Sequence, residues 1–556
     1  MGMQSMKKTS FSAWAFWVVL LLVGGFHEYI SCVLAAVLSG YLLWRLSKKK
    51  TLKIRKDLLT SAIVAVCFGY GLTCIWGVDK GMAFVGFLKF LPLLLYLICL
   101  QQEENAGQAL EMLPYYGAVL AVVSAVGMQF PVVQALFSVA GRLAGTFQYP
   151  NTFAIFLLVC QLLLLKKSGK TVWDYVVLLV LVAGFLYTGS RTAFVVGVLS
   201  NVAMLLTMTK KKVRLIALGA MGGILVICIL LALDPDSVLR RYLTISLTES
   251  TFVGRLLYWS DALLLLLKSP FGMGYMGYFY TQQSIQTGVY TVTYIHNDLL
   301  QLLLDIGWAP VGLLVAAVIG WLCKKEVSLA DKIIVGAVCL HSLFDFNLQF
   351  IGVFMLLLIL LSVFDPKKEL VLQPGMLLKT GLVAVMVVGL YMGTALMLAH
   401  FGLRELSDAM YPYHTNNQLS MLEQERDLEK ADDLAERILQ HNSRFYAPYS
   451  IRARYYYSKG DFGTMIQYAR ASLERNPFQQ SEYENYCKML ITGIDLYEKN
   501  GDAQSAQVCR QELISVYQQF LEMPQRLSPL GKRIKDQPIK SLDTQITDYI
   551  RQLNGG

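Results

Sequence analysis

The stretch that decides the fold begins Lys166-Lys167-Ser168-Gly169-Lys170 and continues into an apolar run over 172–188. The turn Tyr187-Thr188-Gly189-Ser190-Arg191-Thr192 follows. A second apolar run over 191–208 then ends in Lys210-Lys211-Lys212-Val213-Arg214. A bilayer-spanning helix needs about 20 mostly apolar residues. Two runs near that length, joined by a tight Gly-Ser turn and flanked by lysines, read as a helical hairpin that crosses a membrane twice. The lysine clusters share one side, which the positive-inside rule makes cytoplasmic. Arg191 stands on the opposite side, against that rule. It also begins a helix, whose first N–H groups favour an anion, and a guanidinium fork matches phosphate geometry. The competing reading is an arginine snorkelling at the interface.

The rest of the chain repeats the pattern. Of 556 residues, 55% are hydrophobic and 16% charged, against about 25% charged in ordinary soluble domains. Residues 1–403 hold 30 Lys+Arg and 18 Asp+Glu, a net of +12; residues 404–556 hold 19 and 21, a net of −2. The first part therefore reads as membrane-embedded and the second as soluble. The total of +10 comes from clusters between apolar runs, so it is no footprint for nucleic acid. Thirteen spans are expected, at about 11–26, 28–45, 58–77, 82–100, 113–130, 152–165, 172–188, 191–208, 213–233, 299–322, 331–345, 347–364 and 377–400. The first follows Lys7-Lys8 but lacks a convincing cleavage site, so it is read as a retained helix. With a cytoplasmic N-terminus, Lys48-Lys49-Lys50, Lys53, Arg55-Lys56, Lys324-Lys325 and Lys367-Lys368 all fall inside. The segment 234–298 becomes the longest external loop, and the C-terminal domain lies outside. No Cys/His metal spacing occurs among the ten cysteines; Cys487 and Cys509 are expected as free thiols.

Polar residues on the outer side carry the chemistry. In Gly141-Arg142-Leu143-Ala144-Gly145-Thr146-Phe147-Gln148-Tyr149-Pro150-Asn151, Asn151 is an N-cap or a ligand, and Arg142 an interfacial anchor or an anion ligand. Ser190 accompanies Arg191. Gly254-Arg255 precedes the glycine-rich Pro270-Phe271-Gly272-Met273-Gly274, where the backbone can turn sharply. His296-Asn297-Asp298 offers an imidazole suited to general-base work near neutral pH. His341 and Asp345 stand four apart, on one face if the helix continues. Lys89 is an ionisable group deep in the fourth span, a functional candidate by default.

These pieces, in this order, resemble the O-antigen ligase/polymerase superfamily of bacterial membrane glycosyltransferases. The resemblance rests on Arg142…Gly145-Thr146-Phe147…Pro150-Asn151, Gly189-Ser190-Arg191, Gly254-Arg255, 270–274 and His296-Asn297 with Gly307. It covers about 60–365, with Pro310 standing where the family usually has a small or hydroxylic residue. The resemblance implies a bundle similar to the C-type glycosyltransferases. It implies a glycan donor on undecaprenyl diphosphate, an acceptor that is a glycan, lipid or protein, and no cofactor or metal. By the same resemblance His296, Arg191 and Arg255 are catalytic and Arg142 joins them in holding the diphosphate; from their own positions Asn151, Ser190, Lys89, His341 and Asp345 are expected to bind substrate. The alternatives are a polymerase of lipid-linked repeat units, a protein O-oligosaccharyltransferase and, from another class, a flippase for the lipid-linked glycan.

After a linker at 404–420, residues 421–556 show helix–Gly-Asp–helix units around Gly460-Asp461 and Gly501-Asp502. Their spacing of 41 is longer than a tetratricopeptide repeat, but the pattern is similar to it. A binding module for a partner protein or polymer is expected. The whole is thus an all-α polytopic membrane bundle with a soluble α-helical repeat domain, placed in the bacterial cytoplasmic membrane.

Overall fold

The computed structural model describes residues 10–105, 107–246, 248–362, 369–373, 375–539 and 541–553. Lys7, Lys8, Lys367 and Lys368, used above for orientation, lie outside the described residues, as does the end of the span expected at 347–364. The chain is an all-α polytopic membrane protein, 75% helical. The only strands among the described residues are two short ribbons, Leu52–Arg55 paired with Glu369–Leu372 and Ser138–Val139 paired with Arg142–Leu143. Among the described residues seven helices are long and apolar enough to cross a membrane, and shorter apolar helices such as Pro150–Lys166, Val172–Tyr187 and Arg191–Leu206 join them.

The chain divides into two compact units. The first comprises Met1–Leu72, Val85–Ser246 and Ile295–Leu396. Its centre is formed by Pro150–Lys166 and Ile351–Ser362. Every residue of the latter is buried, as are nearly all of the former. A helix apolar on all faces has no solvent side, so it sits where other helices surround it. Small residues let the packing close. A Cβ on Gly117 would lie 2.6 Å from Cys160 Sγ, and one on Gly389 would lie 2.6 Å from the Cys32 carbonyl oxygen, the close approach typical of membrane helix pairs.

Cations mark one end of this unit. Lys53 pairs with Glu369 at 2.9 Å, Lys166 with Asp331 at 2.6 Å and Lys167 with Asp174 at 2.8 Å. Because successive helices alternate in direction, the opposite end collects the turn before Pro150, the turn before Arg191 and the segment before Asp298.

Several expectations need correction. The span expected over 11–26 stops at Leu21 and passes into a 3-10 turn, Val23–Gly25. There Gly24 has φ +61°, and a Cβ would meet Phe147 at 2.5 Å. The span expected over 299–322 is two helices, Asp298–Ile306 and Trp308–Leu322, broken at Gly307 with φ +80° and ψ −176°, a conformation only glycine adopts readily. The last core span begins at Ile351, after a 3-10 turn over Asn347–Gln349. The segment 234–298, expected as a loop, contains the helices Ser250–Lys268 and Gly277–Ile285.

The second unit comprises Thr73–Phe84, Leu247–Tyr294 and Met397–Gly556, so the division is not the single cut expected near 403. The expected linker is helical, with Arg404–Met410 and Thr415–Gln424. Asp79 explains this. It is buried and accepts from the Met82 N–H at 2.9 Å, from the Asn442 amide at 2.9 Å and from the Thr415 hydroxyl, and a buried carboxylate requires such partners. Likewise the Ser528 N–H donates to the Thr287 carbonyl at 2.9 Å, and Asp261 accepts from Thr287 and Tyr290. Further on, Ala447–Ser458 packs on Phe462–Arg475, and Gln480–Lys499 on Ala503–Glu522. Gly460 and Gly501 both take φ +75° between the partners. Asp461 and Asp502 then cap the following helices through the Thr464 and Ser505 N–H groups. Cys487 and Cys509 are buried free thiols.

Candidate active site

The site is built on helix N-termini of the first unit. Pro150 opens the central helix at a position where its missing N–H costs nothing. The N-cap is Tyr149, not Asn151, so the capping role expected for Asn151 does not hold. Asn151 uses its side chain for tertiary bonds instead. Its Nδ2 donates to Asp345 at 2.7 Å and to the Tyr149 hydroxyl at 3.1 Å, and its Oδ1 accepts from Arg142 Nη2 at 2.7 Å. Arg142 Nε in turn donates to the Thr188 carbonyl at 2.8 Å. That carbonyl lies beyond the end of Val172–Tyr187, where helix carbonyls lack intrahelical partners.

Asp345 is the hub and is fully buried. Besides Asn151 it accepts from the Tyr149 hydroxyl at 2.9 Å, from the Phe346 N–H at 3.0 Å and, at 3.3 Å, from His296 Nδ1. His296 stands just before the Asp298–Ile306 helix, whose N-cap Asn297 accepts from the Leu300 N–H at 3.0 Å. The His296 backbone has φ +52°, a left-handed conformation that a non-glycine residue holds only when its surroundings enforce it. Its ring meets Phe346 edge-on at 5.0 Å, and Phe346 stacks on Tyr149 at 4.7 Å. A carboxylate on Nδ1 fixes which ring nitrogen keeps its proton and leaves Nε2 as the acceptor.

On the other side of Arg142 is the hairpin turn that opened the sequence. Ser190 takes an extended conformation and Arg191 begins the helix Arg191–Leu206, as expected. Gly189 has φ +56°, and a Cβ there would stand 2.8 Å from Val238 and 3.1 Å from Arg241 Cδ. The Arg241 side chain crosses this turn, with its Nε donating to the Gly189 carbonyl at 3.1 Å. Burial, and then the charge of Arg241, push the Arg142 guanidinium down to about 10, which leaves it cationic at neutral pH. The Arg142 and Arg241 side chains, bound to the carbonyls of Thr188 and Gly189, thus place two cations beside the turn that opens the Arg191–Leu206 helix, a setting suited to an anion.

The structure thus brings together His296, Asp345, Asn151 and Arg142, with Ser190 and Arg191 on the turn whose Thr188 carbonyl Arg142 holds. Lys89 is also in this unit, fully buried, 3.8 Å from Glu28 and 5.2 Å from the centre of the Phe26 ring; Phe26 in turn lies 6.4 Å from Phe346. The helical spacing expected for His341 and Asp345 does not hold, because the helix Leu329–Ser342 ends between them. His341 Nδ1 instead lies 2.8 Å from the Asn347 amide. Arg255 sits on Ser250–Lys268 in the second unit, with Tyr258 close by. Sequence reasoning missed Tyr149 and the bridging role of Asn151. It gave Arg241 no role.

The family model described as O-antigen ligase matches residues 176–317. This stretch contains Arg191, Arg241, Arg255 and His296. Over that stretch the chain is similar to the O-antigen ligase family, which supports a multi-pass membrane enzyme of the ligase or polymerase type. Among curated proteins and solved structures nothing matches it.

Proposed function

We propose that this protein transfers a glycan from undecaprenyl diphosphate to an acceptor hydroxyl on the outer side of the bacterial cytoplasmic membrane. The observation that carries this reading is the contact of His296 with buried Asp345, tied through Asn151 to Arg142 among helix N-termini. In the proposed step His296 Nε2 takes the acceptor hydroxyl proton. The acceptor oxygen bonds to C1 of the donor sugar while the bond from C1 to the diphosphate oxygen breaks, and the electron pair leaves on the diphosphate. Asp345, holding Nδ1–H, stabilises the imidazolium that forms. Arg142, Arg191 and Arg241 stabilise the charge on the leaving group, which is larger in the transition state than in the ground state. In this role Asn151 positions Arg142 rather than touching substrate. The outward orientation is part of the proposal: an impermeant thiol reagent should label Ala140→Cys in intact cells and spare Lys49→Cys.

The test is transfer by purified full-length protein with a polyprenyl-diphosphate glycan and an acceptor. His296→Ala should lower the rate by roughly 10²–10⁴. Arg191→Lys should also impair it, because an ammonium cannot supply the fork. Normal turnover by the His296 variant would remove the base assignment. Arg255→Ala in the same assay tests the role that the resemblance gives to that residue. The paired helices of the tail are proposed as a docking module similar to tetratricopeptide repeats.

A further inference from the structure

The cationic end of the first unit holds a cavity of about 280 Å³ at a meeting of helix ends. It lies between the start of Leu58–Trp76 and the last turns of Trp308–Leu322 and Ile351–Ser362. Its polar side is formed by Arg55, Lys56 and Lys324, with Asp57 as the one carboxylate among the described lining residues. Asp57 is engaged in capping, because its Oδ1 accepts from the Thr60 N–H at 2.7 Å. Arg55 Nη1 donates to the Ser362 carbonyl at 2.9 Å, which holds the guanidinium over the cavity.

Two further features point to a ligand. Ser362, only 8% exposed, lines the cavity, and its buried hydroxyl has no hydrogen-bond partner among the described residues. A buried hydroxyl without a partner is unfavourable, and an acceptor oxygen placed in the cavity would satisfy it. The rest of the lining is apolar, with Leu58, Leu59, Ala317 and Leu361. A Cβ built on Gly320 meets nothing within 4 Å, so the groove beside that helix is open.

A cationic rim, a waiting hydroxyl and an apolar floor at helix ends match a phosphate group attached to an acyl glycerol. We propose that this cavity binds the headgroup of an anionic phospholipid. Arg55, Lys56 and Lys324 face the phosphate, Ser362 donates to one of its oxygens, and the first acyl carbons lie along Leu58 and Leu361. Free phosphate shares the anionic chemistry but gains nothing from the leucines. The site stands at the end of the unit opposite His296 and does not depend on the chemistry assigned there.

The experiment is native mass spectrometry of the full-length protein in detergent, with phosphatidylglycerol or phosphatidylcholine added. Wild type should retain phosphatidylglycerol in preference to phosphatidylcholine. Arg55→Gln and Lys324→Gln should each weaken retention roughly fivefold, the factor for one cation near an anionic headgroup. Gly320→Leu should abolish it by filling the groove while leaving every charge in place. Equal retention of the two lipids, or wild-type retention by Gly320→Leu, would overturn the proposal. So would full displacement of phosphatidylglycerol by inorganic phosphate, which would identify a soluble anion as the ligand.

Discussion

The two ends of the first unit are both rich in charge, yet they are built differently. At the cationic end the lysine of each pair stays partly accessible, although Asp331 and Asp174 are themselves buried and Asp174 also accepts from Tyr115 and Thr171. Lys53, for instance, keeps 50% of its side chain exposed beside Glu369, and Lys167 keeps 41% beside Asp174. At the other end the acid is fully buried and shared. Asp345 serves the Tyr149 hydroxyl, the Asn151 amide, a backbone N–H and an imidazole, and Asn151 passes the connection on to Arg142. Surface pairs are worth little because water and salt screen them and the long side chains lose entropy. A buried carboxylate is tolerable only when its oxygens are filled with donors, and filling them fixes the position of every donor. In the proposed orientation the first arrangement acts through total charge. The second places particular atoms, which is what catalysis requires.

Asp345→Asn should break this contrast with the largest effect. The amide keeps the shape of the side chain but puts an N–H where His296 or Asn151 needs an acceptor. The imidazole then loses its fixed tautomer and the support for its charged form. We expect kcat for glycan transfer to fall on the order of 10²–10⁴, with KM for the donor nearly unchanged. A fall in KM and kcat together, with the protein still folded, would make Asp345 a structural hub only. Arg142→Gln comes next. It removes the donor to Asn151 and to the Thr188 carbonyl as well as a cation. One lost charge-assisted bond, ~1.5–3 kcal/mol, corresponds to roughly 10–100-fold in transfer rate. The control is Asn151→Ala, which spares the charge. If both variants transfer normally, Arg142 merely pins the turn.

Much of this end was legible in the sequence because it violates a strong rule. Arginines opposite the lysine clusters, and a histidine at the mouth of a span, stand out against an apolar background. The hairpin 172–208 was legible for the same reason: its ends are marked by lysines and its turn by Gly189. What was not legible depends on partners distant in sequence. His341 and Asp345 were paired because they are four apart, but the helix stops at Ser342, and Asp345 finds its donors at residues 149, 151 and 296. Nothing in a periodic pattern marks the Thr188 carbonyl as the acceptor for Arg142. The helices in 404–420 were hidden because that segment is polar; what orders it is a carboxylate at Asp79, more than three hundred residues earlier. Gly307 was singled out with His296-Asn297, but nothing in the apolar run showed that its φ of +80° would divide that run in two.

The smallest expected effect sharpens the comparison from the other side. Lys53→Met removes a cation from the ribbon Leu52–Arg55 and leaves Glu369, 35% exposed, in contact with water. Because that carboxylate stays hydrated, no buried charge is stranded, and the cost in thermal unfolding should stay within ~0–1 kcal/mol. Transfer should remain at the wild-type rate, since no hydrogen bond at the His296 end passes through Lys53. The backbone pairing of the ribbon survives the substitution, as does the bond from the Lys53 N–H to the Gln102 side-chain oxygen at 3.0 Å. A drop in turnover comparable to that of Arg142→Gln would mean that the two ends are coupled through the helices between them, and the separation of orienting charge from catalytic charge would fail.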